Sequence, residues 1–121
     1  MSSGPVRLAS LGMGWWSDVL ADAARRSDKI EIVACFPRSA NKRQAFAEKY
    51  ECRPAESYEE ILGDPRVEGI INTTPNDVHL ETTRAAAEAG KHIFLDKPIA
   101  NSVSDGREIA RICKDAGVLI A

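Results

Sequence analysis

The chain reads as short apolar runs separated by stretches in which apolar residues recur every three or four positions. Val6 to Leu11 (VRLASL) is apolar-rich and stops at Gly12; from Trp15 to about Arg26, Val19, Leu20, Ala23 and Ala24 recur at helical spacing. This pattern predicts strand, glycine turn and helix. Lys29 to Phe36 (KIEIVACF), rich in β-branched residues, predicts a second strand, and Ala40 to Tyr50, with its alanines and alternating charges, an exposed helix. Ser57 to Leu62 predicts a short helix with Glu60 at capping-box distance from Ser57, ended by Gly63-Asp64-Pro65. Val67 to Asn72 (VEGIIN) predicts a strand, and Asn76 or Asp77 is placed to cap a helix running through Ala89 to Gly90. His92 to Leu95 predicts the next strand. Ser102 to Ala116 sets Val103, Gly106, Ile109, Ala110 and Cys113 on one helical stripe, followed by Gly117 and a last apolar run, Val118 to Ala121.

Strands that alternate with helices over short connections cannot be hairpins. They must join by right-handed crossovers into a parallel sheet covered on both faces, a doubly wound three-layer α/β/α fold. Such sheets bind ligands outside the carboxyl ends of their strands, where the strand order reverses. No repeat, low-complexity tract or linker divides residues 1–121, so the expectation is one domain.

Composition narrows the functions available. With 44% apolar and 28% charged residues the chain is suited to fold, and 121 residues can bury a core without disulfides or metal. A net charge of -2 with no basic run argues against a nucleic-acid partner. No stretch reaches the roughly 18 apolar residues of a membrane span, and Met1 to Pro5 is too short and polar for a signal peptide, so the cytoplasm is expected. Cys35, Cys52 and Cys113 lie in no spacing that zinc could use and are read as reduced thiols, with Cys35 and Cys113 as small buried hydrophobes.

Gly12-Met13-Gly14-Trp15-Trp16-Ser17 matches G-x-G-x-x-S between a strand and a helix, the setting required by a dinucleotide-binding (Rossmann) fingerprint. Gly12 permits the tight turn, Gly14 lets a diphosphate approach the backbone, and the helix start at Trp15 offers N–H groups and the positive dipole end. Ser17 replaces the third glycine and is still small enough for close packing. Trp15 and Trp16 are either cofactor flanks or, for at least one of them, core or interdomain contacts.

NAD-preferring domains place Asp or Glu about 20 residues past the glycines, at the end of the second strand. That corner here reads Cys35-Phe36-Pro37-Arg38-Ser39, without a carboxylate. Arg38 offers a guanidinium and Ser39 a hydroxyl where a 2′-phosphate would lie, which favours NADP over NAD. Arg43 is read as an exposed helix charge.

Thr73-Thr74-Pro75-Asn76-Asp77-Val78-His79, together with Ala89-Gly90-Lys91-His92-Ile93-Phe94-Leu95-Asp96-Lys97-Pro98, resembles the paired signatures of the Gfo/Idh/MocA oxidoreductases. The resemblance runs from about Val6 to Ala121 and corresponds to the amino-terminal half of a typical member. It implies an NAD(P)-dependent dehydrogenase or reductase acting on sugars, inositols, cyclic diols or related compounds. It further implies that Thr74, Pro75, Asn76 and His79 border the adenosine and nicotinamide riboses, and that Lys97 points at the nicotinamide and the substrate hydroxyl. Asp96 stands where the family usually has Glu, one methylene shorter. A lysine at such a strand end can stabilise alkoxide charge or relay a proton, and Pro98 restricts Lys97 to an extended conformation. His92 is read as structural.

Family members carry a second α/β domain that supplies the substrate pocket and commonly the interface of a homo-oligomer. The expectation is that residues 1–121 bind nucleotide, turn over little or nothing alone, and expose surface prone to self-association. A stand-alone nucleotide sensor and a ligand-free scaffold are the competing readings.

Overall fold

The computed structural model describes residues 4–12, 14–36 and 39–121, without the side chain of Ala40. Strand β1 (Val6–Leu11) leads through the glycine turn into α1 (Trp15–Arg25), then β2 (Ile30–Phe36) and α2 (Ala40–Tyr50). A two-residue β3 (Arg53–Pro54) and a short α3 (Tyr58–Leu62) precede β4 (Gly69–Asn72). One 3-10 turn (Asn76–Val78) opens α4 (His79–Glu88), followed by β5 (His92–Leu95) and α5 (Val103–Ala116). The strands lie in the order β3-β2-β1-β4-β5, and every pairing is parallel. Residues 118–121 continue the sheet beyond β5, with Ile93 N–H donating to Leu119 O at 2.9 Å and Ala121 N–H to Ile93 O at 3.0 Å.

This order is the doubly wound arrangement expected from the alternating pattern. From β1 the chain moves outward through β2 to β3, then returns to the other side of β1 with β4 and β5. The reversal therefore falls between the carboxyl ends of β1 and β4, and a crevice opens there. One face of the sheet packs on the later helices around Ile61, Ile70, Ala86, Ile93 and Ile112; the other packs on α1 and α2 around Ala21, Cys35, Phe46 and Tyr50.

Local chemistry explains the boundaries. Ser57 caps α3 by accepting from Glu60 N–H, and Ser102 caps α5 by accepting from Asp105 N–H. Gly117 closes α5 in the left-handed conformation (φ 71°). Two expectations need correction, and one set of alternatives is narrowed. Neither Asn76 nor Asp77 caps a helix with its side chain; the chain instead makes a 3-10 turn led by Pro75, with Val78 N–H donating to Pro75 O. On α5 the buried stripe is Ile109, Ile112 and Cys113, whereas Val103 is 71% exposed and Ala110 is also exposed. Neither tryptophan belongs to the core: Trp15 is 75% exposed and Trp16 39%. Cys35 and Cys113 are buried, as read from their apolar surroundings.

Candidate functional site

At the reversal point the turn after β1 crosses the loop after β4. Gly12 adopts φ +88°, its N–H donating to Phe36 O, and Thr73 N–H donates to Leu11 O at 3.0 Å. Ser17, only 1% exposed, ties the turn shut: its hydroxyl donates to Gly12 O at 3.1 Å and accepts from Gly14 N–H at 3.2 Å. The third position of the fingerprint thus serves the turn itself, a role that a glycine could not fill with a side chain. Gly14 is extended (φ -177°), a conformation open to any residue, and a Cβ built on it meets nothing within 4 Å. Helix geometry leaves the N–H groups of Trp15 and Trp16 without intrahelical acceptors beside that open space. A cradle of this kind, with outward amides at the positive end of α1, fits a diphosphate.

The adjoining crevice has a volume of about 650 Å³ and is lined by Gly12, Phe36, Ser39, Lys42, Tyr58, Thr74 and Pro75, among others. A second hollow of about 310 Å³ joins Gly14, Trp15, Lys42 and Lys49. Lys42 lines both. Sequence reading passed over it because a lysine in the first turn of an exposed helix looks like any solvated charge. Ser39 serves also as the N-cap of α2, accepting from Lys42 N–H at 3.3 Å. Arg43 is turned elsewhere, donating to Ala55 O at 3.1 Å and lying over the Phe36 ring. Met13 and Arg38 lie outside the described residues.

The loop after β4 is held from below by Asn72, buried to 1% exposure. Its Oδ1 accepts from Thr74 N–H at 3.1 Å and from the Thr74 hydroxyl at 2.6 Å, while its Nδ2 donates to the Thr82 hydroxyl at 2.8 Å. Asn72 was legible only as a polar residue at the end of a strand. Pro75 and Asn76 are exposed at the rim. His79, by contrast, is fully buried, with Nε2 2.9 Å from Thr74 O and Nδ1 3.1 Å from Pro98 O. Both ring nitrogens face backbone carbonyls, so none is left for a ligand in the crevice.

Asp96 and Lys97 follow β5 immediately. Asp96 N–H donates to Asn72 O at 3.0 Å, which sets this loop beside that of Thr74. Lys97 is exposed and has no ion-pair partner among the described residues, and the Lys97–Pro98 peptide is cis. The structure therefore brings Gly12, Ser39, Thr74 and Pro75 into one crevice. Gly14 and Trp15 lie next to it, and Asp96 and Lys97 lie one strand away.

Residues 6–121 match the oxidoreductase family with an NAD-binding Rossmann fold, Gfo/Idh/MocA. The chain belongs to that family. Among curated relatives, the 1,5-anhydro-D-fructose reductase of Ensifer adhaerens is 37% identical over 98 residues, which are 80% of this chain and 29% of that protein. The crystal structure of a candidate NADPH-dependent oxidoreductase from Desulfitobacterium hafniense superposes with a TM-score of 0.95 at 37% identity, covering 99% of this chain and 35% of that one. A biliverdin reductase from Synechocystis sp. PCC 6803, solved with biliverdin and NADP+, gives 0.89 at 27% identity over 96% of this chain and 37% of its own. The chain thus spans about a third of the length of the relatives it matches. No helix among the described residues is long and apolar enough to cross a membrane.

Proposed function

We propose that residues 1–121 are the cofactor-binding domain of an NADP-preferring oxidoreductase. The intact enzyme moves hydride between the nicotinamide and a hydroxyl or carbonyl carbon of a sugar, inositol, cyclic diol or related substrate. The observation that carries this reading is the open cradle beside Gly14, under the amides of Trp15 and Trp16, at the point where the sheet reverses its strand order. Family membership and relatives described as NADPH-dependent or solved with NADP+ support the same choice of cofactor.

In this reading Gly12, Met13, Gly14, Trp15 and Trp16 hold the diphosphate end. Arg38, Ser39 and Lys42 surround the 2′-phosphate with donors and positive charge, and the absence of a carboxylate at this corner removes the group that would repel it. Thr74, Pro75 and Asn76 border the riboses, and His79 fixes the loop that carries them. When bound, the nicotinamide supplies or accepts the hydride. Asp96 and Lys97 face the reacting end. Lys97 is exposed, so it can reach a substrate oxygen, stabilise negative charge on it or exchange a proton with it.

The substrate pocket belongs to a further domain of the intact protein, corresponding to the rest of its relatives' length, and the homo-oligomer interface lies there too. The cytoplasm is the compartment where such an enzyme meets free dinucleotide with its thiols reduced. Calorimetric titration of the 121-residue chain tests the core of the reading. NADPH is expected to bind with a 1:1 stoichiometry and more tightly than NADH; no heat with either would overturn it.

A further inference from the structure

We infer that His79 is a positioning residue for Lys97: its buried ring, with Nε2 beside Thr74 O and Nδ1 beside Pro98 O, fixes the Lys97-Pro98 loop against the Thr74 loop at the nicotinamide end of the crevice. The inference rests on the dinucleotide reading of that crevice and adds to it how one loop is set against the other.

The sheet itself cannot do this. Regular pairing between β4 and β5 ends at Asn72 and Leu95, and Asp96 N–H to Asn72 O at 3.0 Å is the last backbone link. Among the described residues, the hydrogen bonds that join residues 97–101 to the loop after β4 are those of His79, with Nδ1 at 3.1 Å from Pro98 O and 3.3 Å from Ile99 O. On the far side of the ring, Nε2 lies 2.9 Å from Thr74 O. Thr74 is meanwhile gripped through its N–H and its hydroxyl by Asn72. One rigid, fully buried ring therefore spans from the Thr74 loop anchored by Asn72 to the Pro98-Ile99 segment.

Chemistry explains why histidine suits the position. An imidazole has nitrogens on two edges, so one side chain can stand between two carbonyls. A neutral ring donates to only one of them, and a doubly protonated ring to both. Leucine would fill the space and make neither bond. Glutamine has its amide at one end only, so it reaches one carbonyl and does not stand rigidly between the two loops.

The test compares NADP with 2′-phospho-ADP-ribose, which keeps the adenosine and diphosphate and lacks the nicotinamide. Both are titrated into the parent chain, His79→Leu and His79→Gln, followed by Trp15 and Trp16 fluorescence, with thermal unfolding in parallel. The parent is expected to bind NADP more tightly than the truncated nucleotide. Both variants should shrink that ratio, by about threefold to tenfold for loss of the loop constraint, while the truncated nucleotide binds as before. Lys97→Ala should shrink it in the parent and add little in His79→Gln. Equal losses for both ligands, or an unchanged ratio, would overturn the inference and leave His79 a core residue. A parent chain that binds both ligands equally would overturn it too, whereas one that binds neither would overturn the dinucleotide reading as well. Should His79→Leu not fold, the ratio in His79→Gln decides the matter.

Discussion

Gly12 and Thr73 stand so close that a Cβ on Gly12 would lie 2.9 Å from the Thr73 carbonyl carbon. The glycine is therefore needed twice, for its φ of +88° and for this crossing of backbones. Gly14 lies two residues on, and an added Cβ there meets open space. The two substitutions should separate fold from binding. Gly12→Ala is expected to cost about 2–4 kcal/mol of stability through backbone strain and overlap, read by urea unfolding. Gly14→Ala should leave the unfolding midpoint nearly unchanged and weaken NADPH at least tenfold, because the methyl group occupies the diphosphate's space. Unchanged binding by Gly14→Ala would place the phosphates elsewhere.

Lys42 offers a sharper test of cofactor choice than its place in the sequence suggests. It lines the crevice with Ser39 and the neighbouring hollow with Gly14 and Trp15. In the proposed binding mode a charge beside Ser39 acts on the 2′-phosphate, which NAD lacks, whereas the diphosphate beside Gly14 and Trp15 is common to both cofactors. Lys42→Ala should weaken NADPH by about tenfold, the effect of losing a charge-assisted hydrogen bond, and leave NADH within about twofold. Equal loss for both would assign Lys42 to general electrostatic attraction.

The contrast between Gly12 and Lys42 marks what the sequence could disclose. Apolar runs and glycine stops located β1, β2, α2 and β5 because burial and backbone freedom are local properties of residue type. The two-residue β3 was invisible, since Arg53–Pro54 carries no alternation and is a strand only through its pairing with Ala34 and Cys35. The same holds for Lys91, whose ammonium is buried and donates to Asp64 O and Val67 O at 2.9 and 2.7 Å. A lysine is read as solvent-facing until tertiary structure supplies carbonyls to replace water. The resemblance named the loops at Thr74 and Lys97. It could not reveal that Asn72 and His79 hold them: Asn72 does so by folding its own loop and α4 back onto the strand end, and His79 meets Pro98 and Ile99 only once β4 and β5 lie side by side.

Acid should loosen the corner where α3 meets β4. Asp64, with a side chain only 9% exposed, accepts from Arg66 and Arg53, and Arg53 also pairs with Glu60. The Arg66 hydrogen bond, joined by the Arg66 N–H and by Arg53, holds the Asp64 carboxyl well below the usual carboxylate range. A depressed carboxylate contributes its full stability above its unfolded pKa, about 3.9, and that contribution fades as pH falls toward the folded value. Asp64→Asn is expected to cost about 1–2 kcal/mol at pH 7, the low end for charged hydrogen bonds because Arg66 is largely solvated. Its stability should then fall less steeply than the parent's below about pH 4, as followed by urea unfolding across pH. Parallel curves would show that the ion pairs contribute nothing to folding.

The cysteines differ in reactivity for reasons of place. Cys35 in β2 and Cys52 just before β3 both pack in the cluster around Phe46 and Tyr50. The two neighbouring thiols move each other's pKa apart, Cys52 downward and Cys35, aided by burial, upward, while the Cys35 thiol donates to Arg43 O at 3.8 Å. Burial alone raises Cys113. Cys52 is also the one of the three that is not fully buried. Iodoacetamide should therefore alkylate the native chain at Cys52 first, with a rate that rises at lower pH than for an ordinary thiol. Cys35 and Cys113 should react only on unfolding. Peptide mass mapping after a timed pulse decides it: Cys52→Ala should abolish the fast phase, and a fast phase that survives this change would mean that Cys35 or Cys113 opens to solvent in the native state.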